Sequence, residues 1–163
     1  LWLNLPAKDK MAPPAYHSIK KSEIEEVEFD WGKIRLLAGQ FEGRKGYMSK
    51  YLPLNYYDLH LNPNASVLLN TESERAVMVF TLLGDAYIGG DLVKEKTAVR
   101  LTSGDYVNIK TTDKKAQVLF ISSISLNEPI SWGGPIVMNT KEELNKAFDD
   151  LRKGTFIQKT IIY

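Results

Sequence analysis

From Val27 to Leu126 the chain is written in short runs, many of them alternating apolar and polar residues, and each run stops at a turn signal: Asp30-Trp31-Gly32, Asn62-Pro63-Asn64, Gly84-Asp85 and Ser103-Gly104-Asp105. Alternation at period two sends successive side chains to opposite faces of an extended strand. The pattern predicts a hairpin over EVEFD and KIRLLAG, with Ile34, Leu36 and Ala38 on one face, a strand over Tyr56–Leu61, then a short segment at Ser66–Leu69, and strands over the strongly apolar ERAVMVFTLLG and over TAVRL and YVNIKT on either side of Ser103. A long final strand, KAQVLFISSISL, places Val118, Phe120 and Ser122 on one face. Phe41–Lys50, with its two glycines and its cations, reads as an exposed loop. Such a set of short strands must bury its apolar faces against one another, so the expected class is all-β, a sandwich or barrel.

Only the end of the chain reads as a helix. Thr140 followed by Glu143 has capping-box spacing, Leu144, Ala147 or Phe148, and Leu151 form a stripe, and Gly154 stands where a helix stops. The stripe is expected to lie against the sheet. LWLNL, at the start, fits a short strand ended by Pro6, and Ala7–Ser18, with Pro13-Pro14, runs as an extended arm over the surface. SEIEE is one helical turn capped by Ser22. The organisation expected is a strand and Pro-rich arm over 1–18, one body over 19–155, and a tail over 156–163.

The 163 residues, 44% of them apolar, suffice for one full core. Lys+Arg of 21 against Asp+Glu of 20 leaves a net charge of +1, which gives no strong field for nucleic acid or anionic lipid. No run approaches the roughly 18 apolar residues needed to span a bilayer, and the start lacks a basic region leading into an apolar stretch. A soluble, cytoplasmic protein is expected. Because the chain opens on Leu1 and its first residues already read as ordered, a preceding segment is expected as well.

The supply of reactive groups is small. There is no Cys, so thiolate nucleophiles and thiolate metal sites are excluded, and the two imidazoles are His17, in the arm, and His60, in a strand. Asp58 and His60, two residues apart, share a face and are the only weak metal-ligand candidates; Tyr57, Leu59 and Leu61 take the opposite, core-facing side, so Asp58 and His60 are expected toward solvent. Ser122, Ser123 and Ser125 lack a GxSxG elbow, and the glycines of FEGRKG and YIGG lack phosphate-cradling spacing. Glu72 and Glu74 read as a solvated turn. Gly133-Gly134-Pro135 reads as a turn that lets the chain pass close to the barrel, beside Trp132, whose ring covers apolar surface while its N–H seeks a polar partner. Trp2, Pro13, Pro14, Tyr47, Tyr51 and Trp132 are the candidate interface residues, since aromatic side chains near arginine and lysine anchor partner surfaces.

Three stretches, WLNLPAKDKMAPPAYH, GDAYIG and NEPISWGGPIVMNTKEEL, together resemble the C-terminal half of pirin proteins. The resemblance implies a cupin-like β-jelly-roll with a C-terminal helix, one of a tandem pair whose terminal strands exchange between the two cupins. It also implies that iron, where present, is held by three histidines and a glutamate of an N-terminal cupin outside this chain, so that no cofactor belongs to this chain. Three functions follow from it: a non-catalytic structural or interaction module paired with that cupin or with a second copy of itself, a part of an iron-dependent dioxygenase similar to quercetin 2,3-dioxygenase, and a transcriptional co-regulator.

Overall fold

The computed structural model describes residues 1–157, and the end of the expected tail, 158–163, lies outside the described residues. In chain order the elements are β1 (Glu25–Phe29), β2 (Gly32–Ala38), β3 (Gln40–Phe41), β4 (Arg44–Lys45), β5 (Leu54–Leu61), β6 (Ser66–Asn70), β7 (Arg75–Leu83), β8 (Ala86–Ile88), β9 (Asp91–Val93), β10 (Ala98–Arg100), β11 (Tyr106–Thr111), β12 (Ala116–Ile124), β13 (Ser131–Gly133), β14 (Ile136–Met138) and α1 (Lys141–Lys153). They form two compact units, one of Ile19–Ser125 and one joining Leu1–Ser18 to the stretch from Leu126 onward.

The first unit is the barrel-like sandwich. A six-stranded sheet in the order β1-β2-β5-β12-β7-β10 faces a four-stranded sheet in the order β6-β11-β8-β9. Every strand pair in the two sheets is antiparallel. Ile34, Leu36, Tyr57, Leu59, Val79, Val118 and Phe120 from the larger sheet meet Val67, Leu69, Ile88 and Ile109 from the smaller in one buried cluster. This is an all-β, cupin-like jelly roll with one short C-terminal helix. Alternation explains the cluster directly: β2 buries Gly32, Ile34, Leu36 and Ala38 and leaves the residues between them half-buried. Aromatic rings continue the packing, with Tyr57 stacked on Phe120 at 5.5 Å and Phe41 edge-on to Tyr57 at 5.8 Å. The loop expected over Phe41–Lys50 contains the short β3–β4 hairpin.

Turn chemistry sets the corners. Gly32, at φ +138°, follows Trp31 where β1 reverses into β2, and a Cβ there would lie 2.1 Å from the His60 carbonyl oxygen. No other residue type fits that approach. Asn64 takes a left-handed φ of +56° in the Asn62-Pro63-Asn64 turn.

Outside the strands of the sandwich two expectations need correction. LWLNL forms no strand: residues 1–6 carry no regular structure, and a 3-10 turn covers Ala7–Asp9. Without a neighbouring strand to share a ladder, five residues closed by Pro6 have no hydrogen-bonding partner for a strand. The turn expected at SEIEE is a 3-10 turn over Lys21–Glu23, begun at Lys20 rather than Ser22, and β1 takes the residues from Glu25. Helix α1 is capped as its sequence indicates. The Glu143 N–H donates to Thr140 Oγ1 at 3.1 Å, Glu143 Oε2 accepts from the Thr140 N–H at 3.0 Å, and Gly154 ends the helix in the left-handed conformation. Leu144 and Phe148 pack over Gly133 of the β13–β14 hairpin, Ala147 is the buried helix residue, and Leu151 is exposed. Gly133 thus makes room for the helix.

Candidate functional site

Strand β5 carries the two metal-ligand candidates, and β2 and β12 on either side supply their neighbours. Arg35 pairs across from Asp58, Lys33 from His60, and on the other flank Gln117 stands opposite His60. All of these side chains leave the sandwich core and occupy the outer face of the six-stranded sheet. The face is as expected, but the exposure is not: Asp58 is only 4% exposed. A buried carboxylate must be paired or hydrogen-bonded, and Asp58 is. Its Oδ2 accepts from Arg35 Nη1 at 3.0 Å and lies 3.2 Å from His60 Nε2, while its Oδ1 accepts from Gln117 Nε2 at 2.8 Å. Arg35 is held a second time by Glu26, whose Oε1 accepts from Nε at 3.0 Å, and Glu26 Oε2 accepts from Lys33 Nζ at 3.1 Å. The hydrogen bond from Lys33, followed by the positive charges of Lys33 and Arg35, holds the Glu26 carboxyl below the usual carboxylate range.

This is an ion-pair network, and its chemistry does not fit a metal centre. Both oxygens of Asp58 are taken up by donors, and cationic Arg35 stands where an ion would approach. Non-haem iron requires several imidazole or carboxylate ligands converging with open positions, whereas no three His, Cys, Asp or Glu side chains converge among the described residues. His17 is exposed and lies in the other unit. The residues present do not fit an iron site.

The candidate interface residues divide between the units. Trp2 is 60% and Trp132 73% exposed, Pro13 is half-buried and Pro14 exposed, and all four lie in the second unit. The Trp132 indole N–H donates to the Gly134 carbonyl at 2.7 Å, so its polar edge is satisfied and its ring faces outward. Trp2, Leu3, Met11, Ile136 and Phe156 line a cleft of about 310 Å³. Tyr47, exposed, and Tyr51, half-buried, lie in the first unit, where Lys50 Nζ sits 5.3 Å from the Tyr51 ring centre.

Glu128 has the structural role that sequence reasoning missed. Its Oε2 accepts from the Ala7 backbone N–H at 2.9 Å and from Asn139 Nδ2 at 3.1 Å, and Asn139 also donates to the Pro129 carbonyl at 3.0 Å. The Asn139 backbone N–H reaches Glu143 at 3.0 Å. The motif NEPISWGGPIVMNTKEEL is therefore a clasp that fixes the arm to the helix start. Its signal in the sequence was an acidic residue beside Pro129, which carries no structural meaning until the arm is in place. Burial holds the Lys10 ammonium below the usual lysine range, opposed by the charges of Glu128 and Glu143.

A family model described as the pirin C-terminal cupin domain matches residues 56–157. The chain is 34% identical to human pirin over 93% of its own length and 54% of that protein. It is 28% identical to Pirin-1 of Arabidopsis thaliana, over 92% of the chain and 54% of that protein. A crystal structure of quercetin 2,3-dioxygenase from Acinetobacter baumannii superposes with a TM-score of 0.86 at 29% identity, over 95% of this chain and 55% of that one. The chain spans between about half and two thirds of the length of the curated relatives it matches.

Proposed function

Because the chain belongs to the pirin family, we propose that it is the C-terminal cupin of a quercetin 2,3-dioxygenase-like pirin whose metal site lies outside these residues. The observation that carries this reading is the close superposition on slightly more than half of the A. baumannii enzyme, set beside an outer-sheet network in which Asp58 is committed to Arg35 and Gln117. In this arrangement the chain does no oxygen chemistry. It supplies a sandwich closed around one apolar core, and the second unit presents Trp2 and Trp132 as anchors against the metal-bearing cupin. Large exposed aromatic side chains around a cleft have the character of interface anchors. Iron held by that cupin would supply the oxygen activation.

Two measurements on the 163-residue chain test this. Purified from iron-supplemented culture, it is expected to hold far less than one iron per chain by mass spectrometry and to give no quercetin-dependent oxygen uptake. Stoichiometric iron with uptake refutes the placement of the metal. In sedimentation, the chain is expected to associate with the portion of the A. baumannii enzyme that it does not cover. Failure to associate at up to about 100 μM, a concentration that detects even weak complexes, refutes the partner, and formation of a self-dimer alone favours a second copy in its place.

A further inference from the structure

Strand β11 carries a row of side chains on the outer face of the four-stranded sheet. Its alternation buries Val107, Ile109 and Thr111 and turns Tyr106, Asn108 and Lys110 away from the core. Tyr87 of β8 stands directly across from Lys110 and, between buried Ala86 and Ile88, shares that outer face. Tyr106 is 63% and Tyr87 39% exposed, so two aromatic side chains stand at the surface of one sheet.

Past Ile88 the chain reverses into β9 at Gly89-Gly90, whose φ angles are +62° and +104°. The Gly89 N–H donates to the Asn108 carbonyl at 2.9 Å, which holds the turn beside β11. A Cβ on either glycine would meet nothing within 4 Å, so the turn leaves open space where a longer β8 would place side chains. The result is a cleft of about 480 Å³ walled by Tyr87, Gly89, Gly90, Tyr106, Asn108 and Lys110, a volume in the range of small-molecule sites.

The wall is selective in charge. Among the described residues Lys110 makes no ion pair, whereas Lys33 and Lys94 are each paired with a carboxylate. Asn108 Oδ1 accepts from the Ser66 hydroxyl at 3.2 Å, which leaves Nδ2 with hydrogens to give. No described Asp or Glu lines the cleft, so a cationic ligand finds no counter-charge there, and an anionic one finds Lys110. The tyrosines add flat apolar surface, against which an aromatic ring stacks or the apolar face of a sugar ring lies. Tyr106 and Lys110 are four residues apart on one strand, about 13 Å, so a ring held by Tyr106 meets the ammonium through a spacer.

We propose that this cleft binds a small molecule made of one ring and a carboxylate on a short chain, the ring against Tyr106 and the carboxylate on Lys110, with Asn108 Nδ2 donating between them. Aromatic acids and sugar acids share that chemistry. The site lies wholly within Ile19–Ser125 and requires no metal.

The probes are sodium 3-phenylpropionate, an aromatic acid, and sodium lactobionate, a sugar acid, titrated at pH 7 into the 163-residue chain. Amide chemical shifts are the readout, against sodium chloride at matched ionic strength, and the uncharged counterparts 3-phenylpropionamide and lactose are the controls. Ligands of this size in an open cleft are expected to bind with Kd near about 1 mM. At least one acid is expected to give saturable shifts at Gly89, Gly90 and Asn108, and its uncharged counterpart to bind about two- to fivefold more weakly, the share of one exposed ion pair. Lys110→Gln is expected to erase that difference, and Tyr106→Ala to weaken the acid about fivefold. The acid that saturates identifies the ring, and saturation by both supports the shared chemistry. Absence of saturable shifts with both acids up to about 20 mM, where a millimolar complex is nearly filled, overturns the proposal. Equal affinity for acid and uncharged counterpart overturns it as well, as does a preference for the acid that survives in Lys110→Gln. Both substituted side chains are exposed, so the variants are expected to fold; where one does not, the comparison of acid with uncharged counterpart on the wild-type chain decides.

Discussion

Replacing Asp58 by alanine tests whether the outer-sheet network stabilises the molecule or merely decorates it. The substitution removes three contacts at once, to Arg35 at 3.0 Å, Gln117 at 2.8 Å and His60 at 3.2 Å. Removing one partner of a buried ion pair costs about 3–5 kcal/mol when the other charge is left stranded. Arg35 is not fully stranded, because it keeps Glu26 and is itself 26% exposed, so we expect about 2–3 kcal/mol. For a chain of this size that corresponds to a fall in Tm of roughly 5–10 °C. Urea and thermal unfolding measure it. The control is Arg35→Met combined with Asp58→Ala: with no charge left to satisfy, the double variant is expected to be more stable than the sum of the two single losses by about 1 kcal/mol. A loss below about 0.5 kcal/mol for Asp58→Ala, the level of ordinary surface changes, would show that the buried carboxylate contributes nothing net and would refute this account.

Three further outcomes follow from features described above. Gly32→Ala, forced to place a Cβ 2.1 Å from the His60 carbonyl oxygen at φ +138°, is expected to abolish soluble folded protein, as judged by circular dichroism and gel filtration. Thr140→Ala removes the capping box of α1 and is expected to cost about 1 kcal/mol in urea unfolding. Burial, opposed by the charge of Arg75, pushes the Tyr57 phenol up to about 12, above its ordinary 10.0; the folded form then retains a proton that the unfolded chain has lost, so this contribution to stability is intact below pH 10 and disappears as pH rises toward 12. Tyr57→Phe is expected to flatten that decline and to remove the latest phase of tyrosinate absorbance in an alkaline titration.

Much of the sandwich was legible because strands and turns advertise themselves locally. Ile34, Leu36 and Ala38 alternate, Gly32 and Asn64 sit where the backbone reverses, and Thr140, Glu143 and Gly154 bracket the helix. What was misjudged depends on groups distant in sequence. Asp58 was placed on the correct face, yet whether the outer face of a sheet is wet depends on what covers it, and period-two alternation is silent on that. The helix stripe announced a buried face without naming its cover, which is the β13–β14 hairpin. The strand expected at LWLNL rested on composition, and β-propensity expresses a fit to neighbouring strands that those residues lack.

The Glu128 clasp joins positions 121 residues apart, from the carboxylate to the Ala7 N–H. During synthesis residues 1–18 therefore emerge before every strand of the sandwich and wait while those strands are made, before the clasp exists. Ile19–Ser125 is free to collapse on its own local hairpins, whereas the arm docks only when translation has passed Glu128 and Asn139. A nascent chain arrested just after Ser125 should carry residues 1–18 undocked, open to proteases and chaperones until Glu128 and Asn139 have been made.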